Sequence, residues 1–296
     1  MPASASAERA RRRLFGRPFL GRRAKIAIGT AILLAALTLA VFGPWIAPHD
    51  PIQQNLMIRL RPPFWGDRAI AGYPLGTDNY GRDILSRLIW GTRVSILVGI
   101  SAMAIAGVIG STLGLIAGYF GGRAEQIIMR FADAYQALPD ILLAIVIVAV
   151  FGGGLFNLVI VLGVSGWSVY VRIVFGLVRS WRERPFIEAA VASGGGDLYI
   201  MTRHILPQIV PVLVVVSTLQ VAHMILAESA LSFLGLGLPP PTPTWGNMLA
   251  EGRDRLLVAP WIANLSGLFI ILVVSGINFF GNGLREYLDP KSRGGR

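Results

Sequence analysis

Long apolar stretches recur along this chain, each close to the ~20 residues an α-helix needs to cross about 30 Å of hydrocarbon. Because backbone groups in lipid must be satisfied internally, such runs restrict the chain to a bundle of membrane-spanning helices. Charged residues make up only 15% and hydrophobic ones 54%, where soluble domains usually carry about a quarter charged. Six spans fit the pattern: 26–46, 94–119, one beginning near 128, 156–175, 208–230 and 260–284. The third is the awkward one. Between Asp140 and Arg172 lie 31 uncharged residues, too few for two spans and a turn, yet Gly152-Gly153-Gly154 reads as a hairpin tip. Span three is therefore expected to start near Ile128, bend at Pro139 and carry Asp133 and Asp140 partly into the membrane. The alternative is one long helix and five spans, with three glycines stranded at mid-membrane. On span two, Ala102, Ala106, Gly110, Gly114 and Gly118 recur every fourth residue, a stripe that lets a neighbouring helix approach closely.

The net charge of +11 does not indicate nucleic acid, because the basic residues sit at the ends of apolar runs. With both termini and the 172–203 region assigned to one side, that side carries 19 Lys and Arg against 8 on the other. The positive-inside bias then puts both termini in the cytoplasm. The expected organisation is a basic cytoplasmic tail over 1–25, a first helix and extracytoplasmic segment over 26–93, a five-helix core over 94–284, and a cytoplasmic tail over 285–296. Arg12-Arg13 faintly suggests an export signal, but the apolar run after it is too long for one, and a retained helix is expected. Cysteine is absent, and His49, His204 and His223 are scattered, so no metal site is expected. Neither Lys25 nor Lys291 follows a glycine, so the chain has no phosphate-cradling Walker A loop. No cofactor is expected on this chain.

The polar stretch 185–207 lies between apolar runs and reads as helix, glycine break, helix. Residues 186–193 favour helix. Gly194, Gly195 and Gly196 should end it, Asp197 is a suitable N-cap for the next segment, and Pro207 is expected to close the unit. Glu188-Ala189-Ala190, Gly194 and Leu206-Pro207 resemble the EAA loop of ABC-importer permease subunits, the all-α type I permease fold. His204 stands where many members carry Ile, and His-Ile-Leu-Pro is the form of the peptide-transporter branch. The resemblance implies that this loop, within 179–207, docks into a separate ATPase. It also implies a second permease, two cytoplasmic ATPases holding ATP and Mg, an extracytoplasmic solute-binding protein, and a bacterial inner-membrane location.

Two further stretches narrow the resemblance. Tyr73-Pro74-Leu75-Gly76-Thr77-Asp78, with Gly81-Arg82-Asp83 and Ser86-Arg87-Leu88, is similar to the segment before span two in dipeptide and oligopeptide permeases of the "C" type. Asp78 is a possible cap, and 83–90 an amphipathic segment suited to the outer interface; the stretch acts either as a plug over the bundle or in substrate contact. The run from Ala227 to Gly237, ending in Pro241-Thr242-Pro243-Thr244-Trp245-Gly246, is similar to the end of span five and its loop in the same permeases. There the prolines are expected to exclude regular structure, leaving a loop able to meet a delivery protein. Nickel and glutathione systems share these motifs, so the cargo stays open among them and peptides.

Ionisable groups deep in the spans are few. His223 is expected to be packed and hydrogen-bonded inside the bundle, with a place on the translocation path or gate as the alternative. Glu228, with Ser229, faces either the translocation path or a packing site. Gly163-Val164-Ser165-Gly166 matches a short motif of intramembrane serine proteases, with His223 as a possible base. Four common membrane residues are a weak signal, and Gly and Ser inside spans mostly serve helix packing.

Overall fold

The computed structural model describes residues 21–288. Most of the expected tails, including Arg12-Arg13, lie outside the described residues. Ten α-helices of eight or more residues form the described architecture: α1 Arg22–Ile46, α2 Ile84–Phe120, α3 Gly122–Gln136, α4 Asp140–Phe151, α5 Leu155–Ser165, α6 Trp167–Arg182, α7 Pro185–Ala192, α8 Leu206–Phe233, α9 Trp245–Arg253 and α10 Pro260–Leu288. α5 and α6 meet at Gly166 and cross as one unit, and a short helical turn plus a π-helix over Ile200–Ile205 lead into α8. Five of these units are long and apolar enough to cross a membrane, and the bent pair α3–α4 makes six if it counts as one span.

That pair departs from the expectation. The helix bends by 87° between Gln136 and Asp140, so residues from Ile128 do not continue the axis of α4. α4 alone has 12 residues, about 18 Å of helix and less than a full crossing. α3 lies along α6 instead, in an antiparallel ladder of Arg172–Asp133 at 2.6 Å and Arg179–Glu125 at 3.3 Å. Both pairs are exposed, and such pairs contribute only about 0–1 kcal/mol. The glycine hairpin tip is present: Gly152 and Gly154 have positive φ, and Gly154 N–H donates to Gly237 O at 3.4 Å.

The small-residue stripe of α2 receives α5 and α6 as expected. A Cβ at Gly110 would collide with Trp167 O, one at Gly114 would lie 2.7 Å from Val174 Cβ, and one at Gly118 2.7 Å from Val178 Cβ. The same device joins α1 to α10, where Gly276 and Gly283 make room for Ile32 and Ile26.

On the other side of the bundle the expectation changes most. The amphipathic segment 83–90 does not lie on the interface. It is the first turns of α2, with Ile84, Ser86, Arg87, Leu88 and Ile89 buried. Asp83, not Asp78, is the N-cap, accepting from Ser86 N–H at 3.0 Å. The proline-rich loop contains a further helix, α9, capped by Thr244 accepting from Asn247 N–H at 3.1 Å. Trp245 is fully buried and its indole donates to Leu88 O at 3.1 Å. The prolines end regular structure before Thr244 but do not touch the α9 interior, so a helix restarts as soon as a cap is available.

Candidate functional site

The helical hairpin after α6 is built as local chemistry predicts, with three corrections. Pro185 occupies the first turn of α7, where its missing N–H costs nothing. α7 ends in a Schellman motif: Gly194 N–H donates to Val191 O at 2.9 Å and Gly195 N–H to Ala190 O at 3.0 Å. Gly194 has φ +80, with nothing near a Cβ built there, so its constraint is backbone conformation rather than space. Asp197 does not cap the next segment. It is drawn sideways by Tyr119, whose hydroxyl donates to Oδ1 at 2.8 Å, tying the hairpin to the end of α2. Pro207 does not close the unit either. It sits in the first turn of α8, so the second arm of the hairpin runs straight into a membrane helix. Third, Glu188 is exposed and forms no ion pair with Arg182, Arg184 or Arg203. Two of those arginines have other geometry: Arg182 lies over the Tyr119 ring at 5.7 Å and Arg184 over Trp181 at 5.5 Å.

The inner face of the hairpin is anchored. Ile187, Ile200, Ile205 and Ile209 are buried against Val174, Val178 and Tyr119. The outer face carries Glu188, Ala189, Phe186, Val191, Leu198 and Tyr199 in the open, with Leu198 74% exposed. The hairpin is thus anchored on its inner face and turns apolar residues outward. Its stiff second arm makes any push on it a push on α8.

The remaining residues singled out from sequence separate cleanly. Glu228 is fully buried between α8 and α2, accepting from Ser95 at 3.0 Å and Ser232 at 2.7 Å, with Ser229 at 3.4 Å. Ser229 is buried beside it, and neither lines an open face of this chain. His223 is not packed inside: it is exposed and makes no hydrogen bond among the described residues. Ser165 lines the same crevice as His223, but its hydroxyl donates to Val161 O at 2.7 Å, which leaves no Ser–His dyad. Three groups escape sequence reasoning. Gln220 is a polar residue within an apolar run, one turn from His223. Arg82, Arg87, Asp78 and Glu251 form a buried charge cluster under the cap: Arg87 Nη1 reaches Asp78 at 2.5 Å and Glu251 at 2.7 Å, and Arg82 Nε reaches Asp78 at 2.6 Å. This burial fits the plug reading of the 73–83 stretch. Burial alone would raise the Glu251 carboxyl, but the Arg87 hydrogen bond and the charges of Arg87 and Arg82 outweigh it and hold it below the ordinary carboxylate range. His49 stacks on Tyr73 at 4.4 Å and contacts Asp83 at 3.4 Å, pinning the same plug.

A polytopic helical bundle that projects one anchored hairpin from its core defines a transport permease of the ABC-importer class. Residues 110–294 match the family model for the binding-protein-dependent transport system inner membrane component, and residues 22–63 match the N-terminal TM domain of oligopeptide transport permease C. The chain belongs to this family of inner-membrane permeases. It is 44% identical over 89% of its length to the di/tripeptide transport system permease protein DppC of Pseudomonas aeruginosa, covering 87% of that protein. It is 39% identical over 94% of its length to the glutathione transport system permease protein GsiD of Pectobacterium atrosepticum, covering 91% of it. Among solved structures, an inward-facing MetNI methionine ABC transporter shares the fold at TM-score 0.57 and 19% identity, over 70% of this chain and 98% of that one.

Proposed function

We propose that this permease is the membrane half of an ATP-driven importer for di- and oligopeptides. It works beside a second permease of the same family, with two ATPase subunits on the cytoplasmic side and a solute-binding protein delivering cargo outside. ATP and Mg belong to the ATPases, both termini face the cytoplasm, and this chain transmits force without hydrolysing nucleotide. The observation that carries the reading is the hairpin: an exposed apolar knob mounted on a glycine cap and continuous with α8. Permeases named for di/tripeptides and for dipeptides are 44% and 40% identical to this chain, against 39% for the glutathione permease, which favours peptide cargo. The test is reconstitution with the partner subunits and binding protein in proteoliposomes, followed by uptake of labelled dipeptide. ATP-dependent accumulation is expected. Uptake of glutathione or nickel with no peptide uptake would replace the cargo and leave the permease role standing.

A further inference from the structure

Hydrocarbon tolerates broken helices only where protein or water covers the break, and it is hostile to an uncovered imidazole or carboxylate. Both features occur together on one side of α8. Gln220, His223 and Ala227 follow one another at helical spacing and, with Asp140 at the first position of α4 and Ser165 on α5, line a crevice of ≈ 30 Å³. α4 runs from this crevice to the glycine tip that docks on Gly237 beyond the end of α8. The bend at Pro139 therefore holds Asp140 level with Gln220, halfway along α8. Gln220 is 8% exposed, and its Nε2 has no hydrogen-bond partner. An orphaned buried amide is costly unless a ligand, water or ion completes it. Asp140 and His223 are exposed and have no ion pair or hydrogen bond among the described residues. The Ser165 hydroxyl spends its proton on Val161 O and keeps its lone pairs.

We propose that this crevice is a contact site for the peptide in transit, gripping its N-terminal end. The inference rests on the peptide-import reading. Asp140 and Ser165 Oγ supply acceptors for a terminal ammonium, with the His223 imidazole beside them, and the Gln220 amide donates to the first peptide carbonyl. At ≈ 30 Å³ the crevice is small, so it takes the terminal ammonium, while the first carbonyl at its Gln220 edge and the rest of the peptide lie along α8. Of the three residues expected on the path or gate, the translocation path thus keeps His223, with Gln220 beside it, while Glu228 and Ser229, buried against α2, are structural.

Because the chain contains no cysteine, a single introduced thiol reports its own surroundings. In the reconstituted transporter, His223→Cys is expected to react with a water-soluble maleimide, at least five-fold more slowly when dipeptide-loaded binding protein and ATP are present. Asp140→Asn and Gln220→Leu are expected to lower dipeptide uptake at least five-fold, with binding-protein-stimulated ATP hydrolysis within two-fold of wild type. Wild-type uptake in both variants, or a His223→Cys thiol inert to maleimide in every state, overturns the site. A parallel fall in ATP hydrolysis also overturns it, assigning these residues to assembly or coupling. If the unmodified transporter moves no peptide, the peptide reading fails with it, which is a different result from wild-type peptide uptake in the variants.

Discussion

Gly194 is the positive-φ position of the hairpin. Its φ of +80 is a region L-residues avoid, and nothing crowds a Cβ there, so substitution acts through backbone strain alone. Gly194→Val is expected to cost about 1–2 kcal/mol locally and to tilt α7 while the bundle still inserts. Uptake and binding-protein-stimulated ATP hydrolysis should then fall together; normal assembly with wild-type transport would remove this loop as the coupling element. Glu188, without an ion pair of its own, matters only if a partner covers it. Glu251 gives a pH signature. Its folded carboxyl is held below the ordinary value of 4.5, so its stabilisation is present above that value and is lost as pH falls through the depressed folded value. Thermal unfolding in detergent should show this acid-side loss for wild type, and Glu251→Gln should flatten it. Arg87→Ala, which strands Asp78 and Glu251, is expected to cost about 3–5 kcal/mol.

At the scale of elements, the two packing stripes decide which helices touch. The stripe of α2 brings α5 and α6 to near backbone contact, and any side chain there must displace a helix rather than a rotamer. Gly114→Leu is therefore expected to prevent assembly or lower the unfolding midpoint of the complex by several degrees, readable by size-exclusion and thermal shift. Gly176, on α6 with open space around a Cβ, is the matched control and should tolerate Leu. The continuity of the π-helix with α8 means that the hairpin and the Gln220–His223 face belong to one rod. About 20 Å of helix separates the hairpin from that face.

For the whole molecule, the polar features sort to opposite ends. One end holds a charge-locked plug made from 73–83, the start of α2 and α9; the other holds a knob with apolar residues facing outward. Rigid at one end and adhesive at the other, the bundle is suited to pass force rather than to do chemistry. The purified chain alone is expected to hydrolyse no ATP, measured after removal of contaminating ATPase by activity-matched controls. A reporter fused after Arg296 should be active only in the cytoplasm; periplasmic activity would reverse the topology.

The long apolar helices, the glycine-capped hairpin and the helix-contact stripe of α2 are legible in the sequence, because each depends on local chemistry: apolar run length, backbone satisfaction in lipid, and a left-handed cap that glycine supplies. Helix α9 is not, because its cap at Thr244 follows a run of prolines. The bend at Pro139 is legible as a bend, but its 87° is not, since the packing of α3 on α6, through Ala132 against Trp167 and Val171 and the ladder from Arg172 and Arg179, aims the first half. Which side of α8 faces inward is not legible at all. That helix is apolar around its whole circumference, so periodicity does not distinguish the face of Glu228 from the face of His223. Contact with α2 decides it, through Ser95. The same holds for the plug: Arg87 and Glu251 are 164 positions apart, and no local rule pairs charges across that distance. Local sequence dictates which elements form; the sides they turn to one another exist only once the helices pack.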